Sequence, residues 1–226
     1  MLLATSHPHL DSPTARSSLT AQAAHFFTYA SPLILLVNAL GLLTARVAVG
    51  GLQWLDAPVL VVTAAWWPLQ EWLFHRVLLH MKPRRVLGMK LDPVFARAHR
   101  AHHRRPWIVE QTLIPVGTLA VLVPAQALWL LVPSEPLALT AAATYAASAL
   151  LYEWIHYLCH SHFVPRSTYY RRIHRNHRLH HFKNERFWFS FTVPSVDTLF
   201  GTDPAAEAVP ISDTVRTLGV DEQVDP

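Results

Sequence analysis

Four long apolar stretches alternate with polar, base-rich ones along this chain. The first runs from about 26 to 49, with Arg46 as its charged residue. The second runs from about 57 to 79 and carries Glu71, His75 and Arg76 near its end. The third, about 111–132, is uncharged from Gln111 to Val132. The fourth, about 137–158, is uncharged from Leu137 to Tyr152 and then meets Glu153 and His156. Each has about 20 residues or more, the length a helix needs to cross a bilayer core, and there a helix satisfies its own backbone groups. Four such runs in 226 residues leave too little polar chain to cover them in water. The pattern therefore predicts an all-α integral membrane protein with four transmembrane helices. Residues 1–24, rich in Ser, Thr, Pro and Ala, read as a flexible N-terminal tail, and no part of them reads as a cleaved signal. Residues 25–202 form the membrane-embedded unit, and 203–226 read as an acidic C-terminal tail.

Composition supports this reading. Charged residues make up 15% of the chain, against about 25% in soluble domains. The single cysteine, Cys159, excludes a disulfide within the chain and a cysteine-based zinc site. The net charge of +4 could suggest nucleic acid, but its placement argues otherwise. Residues 81–107 hold eight Lys/Arg against Asp92, and residues 160–190 hold seven against Glu185. The connections Gly50–Asp56 and Pro133–Pro136 are short and poor in base. Basic loops stay on the cytoplasmic side, so both basic segments and both termini are expected there. Juxtamembrane bases serve topology and anionic headgroups, and no nucleic-acid partner is expected.

Histidine carries the chemistry. Of fifteen histidines, twelve fall between 75 and 181. His75 and His80 close the second apolar run, and His156 with His160 close the fourth. His99, His102 and His103 form H-x2-H-H in the first basic segment, and His177, His180 and His181 repeat it in the second. Positions i, i+3 and i+4 share a helix face, so each H-x2-H-H turns three imidazoles toward one region. His75 and His80 are five apart and lie about 140° from each other on an ideal helix; they converge only if the helix loosens near Leu79. Neutral imidazoles suit Fe, Zn, Cu and Ni, and ten of them at one membrane boundary imply two metal ions. His162 and His174 lie outside these motifs and are expected not to be ligands. Glu71 and Glu153 sit one turn or less before His75 and His156. Each is expected to accept the outer N–H of a ligand imidazole, the usual way a second shell fixes the tautomer.

The ordered run E-W-L-F-H-R-V-L-L-H (71–80), H-R-A-H-H-R-R-P (99–106), Y-E-W-I-H-Y-L-C-H (152–160), H-R-L-H-H-F-K-N (177–184) and D-T-L-F-G-T (197–202) resembles the fatty acid hydroxylase / sterol desaturase superfamily, and within it the fatty acid 2-hydroxylase branch. The resemblance covers about Trp66 to Thr202. It implies four membrane helices under a cytosolic histidine-rich helical cap that encloses a di-metal site. That site would be a non-haem centre of two Fe, or Zn in recombinant material. The implied reaction is O2-dependent hydroxylation of a lipid acyl chain taken from the bilayer, with electrons from a separate cytochrome b5 or ferredoxin-type donor. The family's usual F-G-V-T-S reads here as Phe189-Ser190-Phe191-Thr192-Val193, so the floor of the site is expected to differ. A sterol or carotenoid oxidase or desaturase shares the same boxes and is separated by its product. A metal-binding or metal-transporting protein would need ionisable groups deep in several helices, and the third run has none.

Overall fold

A computed structural model describes residues 18–131 and 134–220. The expectation for residues 1–17 lies outside the described residues. The described chain is mostly helical: α1 (Leu19–Phe26), α2 (Ala30–Ala48), α3 (Asp56–Leu73), α4 (Val94–Arg104), α5 (Val109–Thr112), α6 (Val116–Ala125), α7 (Glu135–His160), α8 (Thr168–Phe182) and α9 (Ser195–Leu199). The all-α expectation needs one correction. Strands β1 (Arg84–Val86) and β2 (Met89–Leu91) form an antiparallel hairpin. Its two-residue loop places Leu87 at φ 51° and Gly88 at φ 79°, the left-handed pair that matches strand twist.

Helix α7 is the axis of the molecule. Its alanines at 138, 141, 142, 146 and 149 are buried, and small side chains let neighbouring helices approach closely. Helices α2 and α3 pack along it. At its N-terminal end, Arg46 of α2 donates to Asp56 of α3 (Nε–Oδ1 3.0 Å) and to Thr140 of α7 (2.9 Å), and caps the Gly50 carbonyl (3.0 Å). The end of α2 and the starts of α3 and α7 are therefore tied together at one end, and the histidines gather at the other.

Two stretches, Ala30–Ala48 and Val109–Trp129, are long and apolar enough to cross a membrane. Helices α3 and α7 are long enough as well, but Trp, Pro68, Gln70 and Glu71 dilute the first and small and polar residues dilute the second. The third apolar run is broken. Pro115 has no N–H to continue a helix and disfavours helical backbone before it, so α5 ends at Thr112 and α6 begins at Val116. The freed Ile114 amide donates to Glu153 of α7 at 2.7 Å. Such a break is tolerated in an apolar setting where a neighbour satisfies the exposed backbone.

Both expected tails are corrected where they are described. Residues 19–24 belong to α1, whose Gln22 accepts the Tyr157 hydroxyl at 2.8 Å. Beyond 203 the chain forms a strap over the histidine end, with Val209, Val215 and Leu218 buried. The acidic residues that suggested a tail alternate with apolar anchors, and those anchors decide where the segment packs.

Candidate metal centre

Helix α3 does loosen where the histidine spacing requires it. Residues Phe74–Leu79 form a π-helical turn. In that wider turn bonds run i→i+5, so residues five apart come onto one face, and the His75 and His80 rings lie 5.0 Å apart. Helix α4 presents His99, His102 and His103 from one face, and α8 does the same with His177, His180 and His181. All six are buried.

The ten predicted histidines meet in two groups of five. His75, His80, His99, His103 and His180 form one, and His102, His156, His160, His177 and His181 form the other. Within each group the ring nitrogens lie within 4.8 Å of one another. Each H-x2-H-H motif is shared in the same way. Its first and last histidines join the pair from the preceding long helix, and the middle one crosses to the other group. The two halves of the chain thus build two equivalent sites, each completed by one residue from the other half. The groups touch where the His103 and His181 rings come within 4.2 Å.

Electrostatics favours metal over protons. Burial and the neighbouring imidazoles hold His99, His102, His177, His180 and His181 well below the usual histidine range, and burial takes His103 down to about 3. At neutral pH these rings are uncharged and their lone pairs are free, which is the form a metal binds. The buried nitrogens His80 Nε2, His102 Nε2, His103 Nε2, His156 Nε2, His180 Nε2 and His181 Nε2 have no hydrogen-bond partner among the described residues. A buried polar group left unpaired costs about 1–3 kcal/mol. A cation in each group would satisfy several of them at once, so the residues fit metal ions, and imidazole sets suit Fe and Zn.

The outer nitrogens are held differently from the expectation. Neither Glu71 nor Glu153 bonds a ligand ring. His75 Nδ1 faces the Phe189 carbonyl (2.6 Å), His180 Nδ1 that of Phe187 (2.7 Å) and His103 Nδ1 that of Val215 (3.0 Å). His156 and His160 face the carbonyls of Thr112 and Pro106. In these five rings backbone oxygens fix Nδ1–H and leave Nε2 pointing into the groups, while Nδ1 of His102, His177 and His181 has no partner among the described residues. Sequence alone gives no signal for this, because every residue has a carbonyl. Glu71 instead gathers the amides of Phe191 (2.8 Å) and Thr192 (3.1 Å) and the Thr192 hydroxyl. This seats Phe191, whose ring stacks on His156 at 4.8 Å and meets His177 at 4.9 Å. Asp197 holds the Phe189 and Ser190 amides in the same loop at 3.0 and 2.8 Å. Phe189 keeps the first position of the family pattern and Phe191 departs from it; Phe189 lines the group of His80 and His180, and Phe191 that of His156 and His177. His162 is exposed, and His174 is half-buried beside Phe163 with its ring in neither group.

The fatty acid hydroxylase family model matches residues 60–202, more than half of the chain. The dihydroceramide fatty acyl 2-hydroxylase FAH1 of Arabidopsis thaliana is 25% identical over 154 residues, 67% of this chain and 62% of that protein. The fatty acid 2-hydroxylase of Rattus norvegicus is 28% identical over 145 residues, 64% of this chain and 39% of that protein. The chain thus spans less than two thirds of the length of these relatives. Among solved structures, full-length Scs7p, of which only the hydroxylase domain is visible, is similar in fold with a TM-score of 0.62 at 20% identity, covering 89% of this chain and 72% of that one. The match takes in all ten histidines that the fold assembles, and the chain belongs to the fatty acid hydroxylase family.

Proposed function

We propose that the protein is a membrane-bound di-iron oxygenase that hydroxylates a lipid acyl chain with O2 and electrons supplied from outside. The observation that carries this reading is the pair of five-histidine groups with buried, unpartnered Nε2 atoms. Two irons held there would supply the O2 chemistry that activates an unreactive C–H bond, which no side chain can do.

The chain's own contribution is positional. Five backbone carbonyls orient five of the ten imidazoles. Phe189 and Phe191 line the groups and keep water from the membrane-facing side, and Glu71 and Asp197 hold the loop that carries them. Four membrane crossings with both termini cytoplasmic are supported by the base excess in 81–107 and 160–190 and by the Arg46–Asp56–Thr140 tie at the opposite end. Exposed Val37, Leu40, Leu43, Val61, Val62 and Val121 on the long helices suit contact with lipid tails. A lipid would then reach the site from the bilayer.

The relatives' names concern fatty acyl and dihydroceramide fatty acyl 2-hydroxylation. The same acyl-chain chemistry is proposed here. Mass spectrometry of lipids from cells with and without the gene tests it. The expected result is one lipid class gaining a single oxygen when the gene is present. A loss of two hydrogens, or a shift confined to sterols or carotenoids, would overturn the acyl hydroxylase reading.

A further inference from the structure

We propose that the outward face of α8 is the docking site for an acidic one-electron carrier protein; this rests on the oxygenase reading above. Helix α8 has two unlike faces. Its inner face carries the buried His177, His180 and His181. Its outer face exposes Arg171, Arg175, Arg178 and Phe182, spaced i, i+4, i+7 and i+11, so they share one side. A groove of about 440 Å³ runs along this side, lined by Arg175, Arg178, Leu179, Phe182, Lys183 and Ile211. Three of those residues are bases and none is an acid. Arg216 adds a fourth positive group, with its guanidinium 5.3 Å from the Phe182 ring centre.

Phe182 connects the groove to the metal site. Its side chain is 50% exposed, yet its ring lies 6.4 Å from that of His181. A partner seated in the groove is thus one aromatic ring from a candidate ligand. That contact favours a redox protein over a lipid headgroup, because a headgroup would gain nothing from it. The reaction itself requires such a partner: R–H + O2 + 2 e⁻ + 2 H⁺ gives R–OH + H2O. Each electron leaves one carrier molecule oxidised, so two carriers must visit per turnover. Short visits suit a small interface steered by charge, since redox encounters are small and positive patches accelerate the approach of an acidic partner. The strap past 203 takes part too, because Ile211 lines the groove and Arg216 covers Phe182.

The test uses the purified, metal-loaded full chain and the soluble domain of a cytochrome b5 as the acidic probe. Binding of the oxidised probe and aerobic reoxidation of the reduced probe in the presence of a fatty-acyl substrate are both measured against salt. A triple variant, Arg175→Glu, Arg178→Glu and Lys183→Glu, should weaken binding and slow reoxidation about tenfold or more at low salt. The salt dependence should largely vanish. Metal content and turnover with ascorbate and a small dye mediator should be unchanged. Equal binding and reoxidation in wild type and variant would overturn the proposal. So would unchanged reoxidation accompanied by lost binding to anionic lipid vesicles, which would make the face a membrane contact. A wild type that turns over with neither the probe nor the mediator would refute the oxygenase reading, and the docking site with it.

Discussion

Among the described residues Glu153 has two hydrogen-bond partners, the Ser31 hydroxyl at 2.5 Å and the Ile114 amide at 2.7 Å, and neither is an imidazole. The sequence placed an acid three residues before a ligand histidine, and the physics of ligation suggested a carboxylate–histidine bond. Pro115 changes the outcome. It breaks the third run, frees an amide beside α7, and the acid answers that amide. The same break exposes the Thr112 carbonyl that His156 faces. Glu153→Gln keeps the shape and can still accept from Ile114, so it should leave metal content within about 20% of wild type, by elemental analysis, since a ligand's own outer contact costs tenfold or more only when it is lost. Loss of a metal in this variant would restore the role the sequence suggested. At this scale the histidines were legible, because spacing on a helix face is a property of sequence. Their carbonyl partners were not, because any residue can offer a carbonyl and only the fold selects which ones.

Among the elements, the π-helical turn and the C-terminal strap were read with opposite success. The five-residue gap between His75 and His80 demanded a loosened helix, and Phe74–Leu79 provides it. The strap was hidden by its composition. Its Glu207 and Asp213 are exposed, while the Val215 carbonyl reaches His103 and Arg216 stacks on Trp107 and Phe182. The Ser212 amide donates to the Lys183 carbonyl at 2.8 Å and closes the strap onto the end of α8. Among the described residues, its bond to a ligand ring is that of the Val215 carbonyl to His103, which belongs to one group of five. Ending the chain after Ala208 should therefore weaken that metal about 10–100-fold, the usual effect of losing an outer partner. The other group should stay loaded. Titration with a chelator would read this as one metal lost at low concentration and one retained. Loss of both together, or of neither, would show that the strap does not act through His103.

Across the whole molecule, the apolar runs anticipated a mostly helical fold, of which two stretches, Ala30–Ala48 and Val109–Trp129, are long and apolar enough to cross a membrane. The runs missed the hairpin at 84–91 and the interruption at 113–115, both of which are set by local turn chemistry inside longer patterns. The proposed topology places Ser134 outside and Arg104 inside. Cys159 is buried, so single cysteines introduced at these positions can be read with little background. A membrane-impermeant maleimide should label Ser134→Cys in intact cells and reach Arg104→Cys only after lysis. The reverse pattern would invert the protein in the membrane.

The proposed chemistry depends on ten histidines forming two metal sites. Elemental analysis of active, purified protein tests it most directly, with His180→Ala and His174→Ala measured beside the wild type. Wild type should carry close to two equivalents of iron or zinc per chain. His180→Ala should fall to about one, because His180 belongs to a single group, and His174→Ala should keep two. A reproducible value of one or zero in active wild type, or a metal lost with His174 but kept without His180, would refute the two-site arrangement.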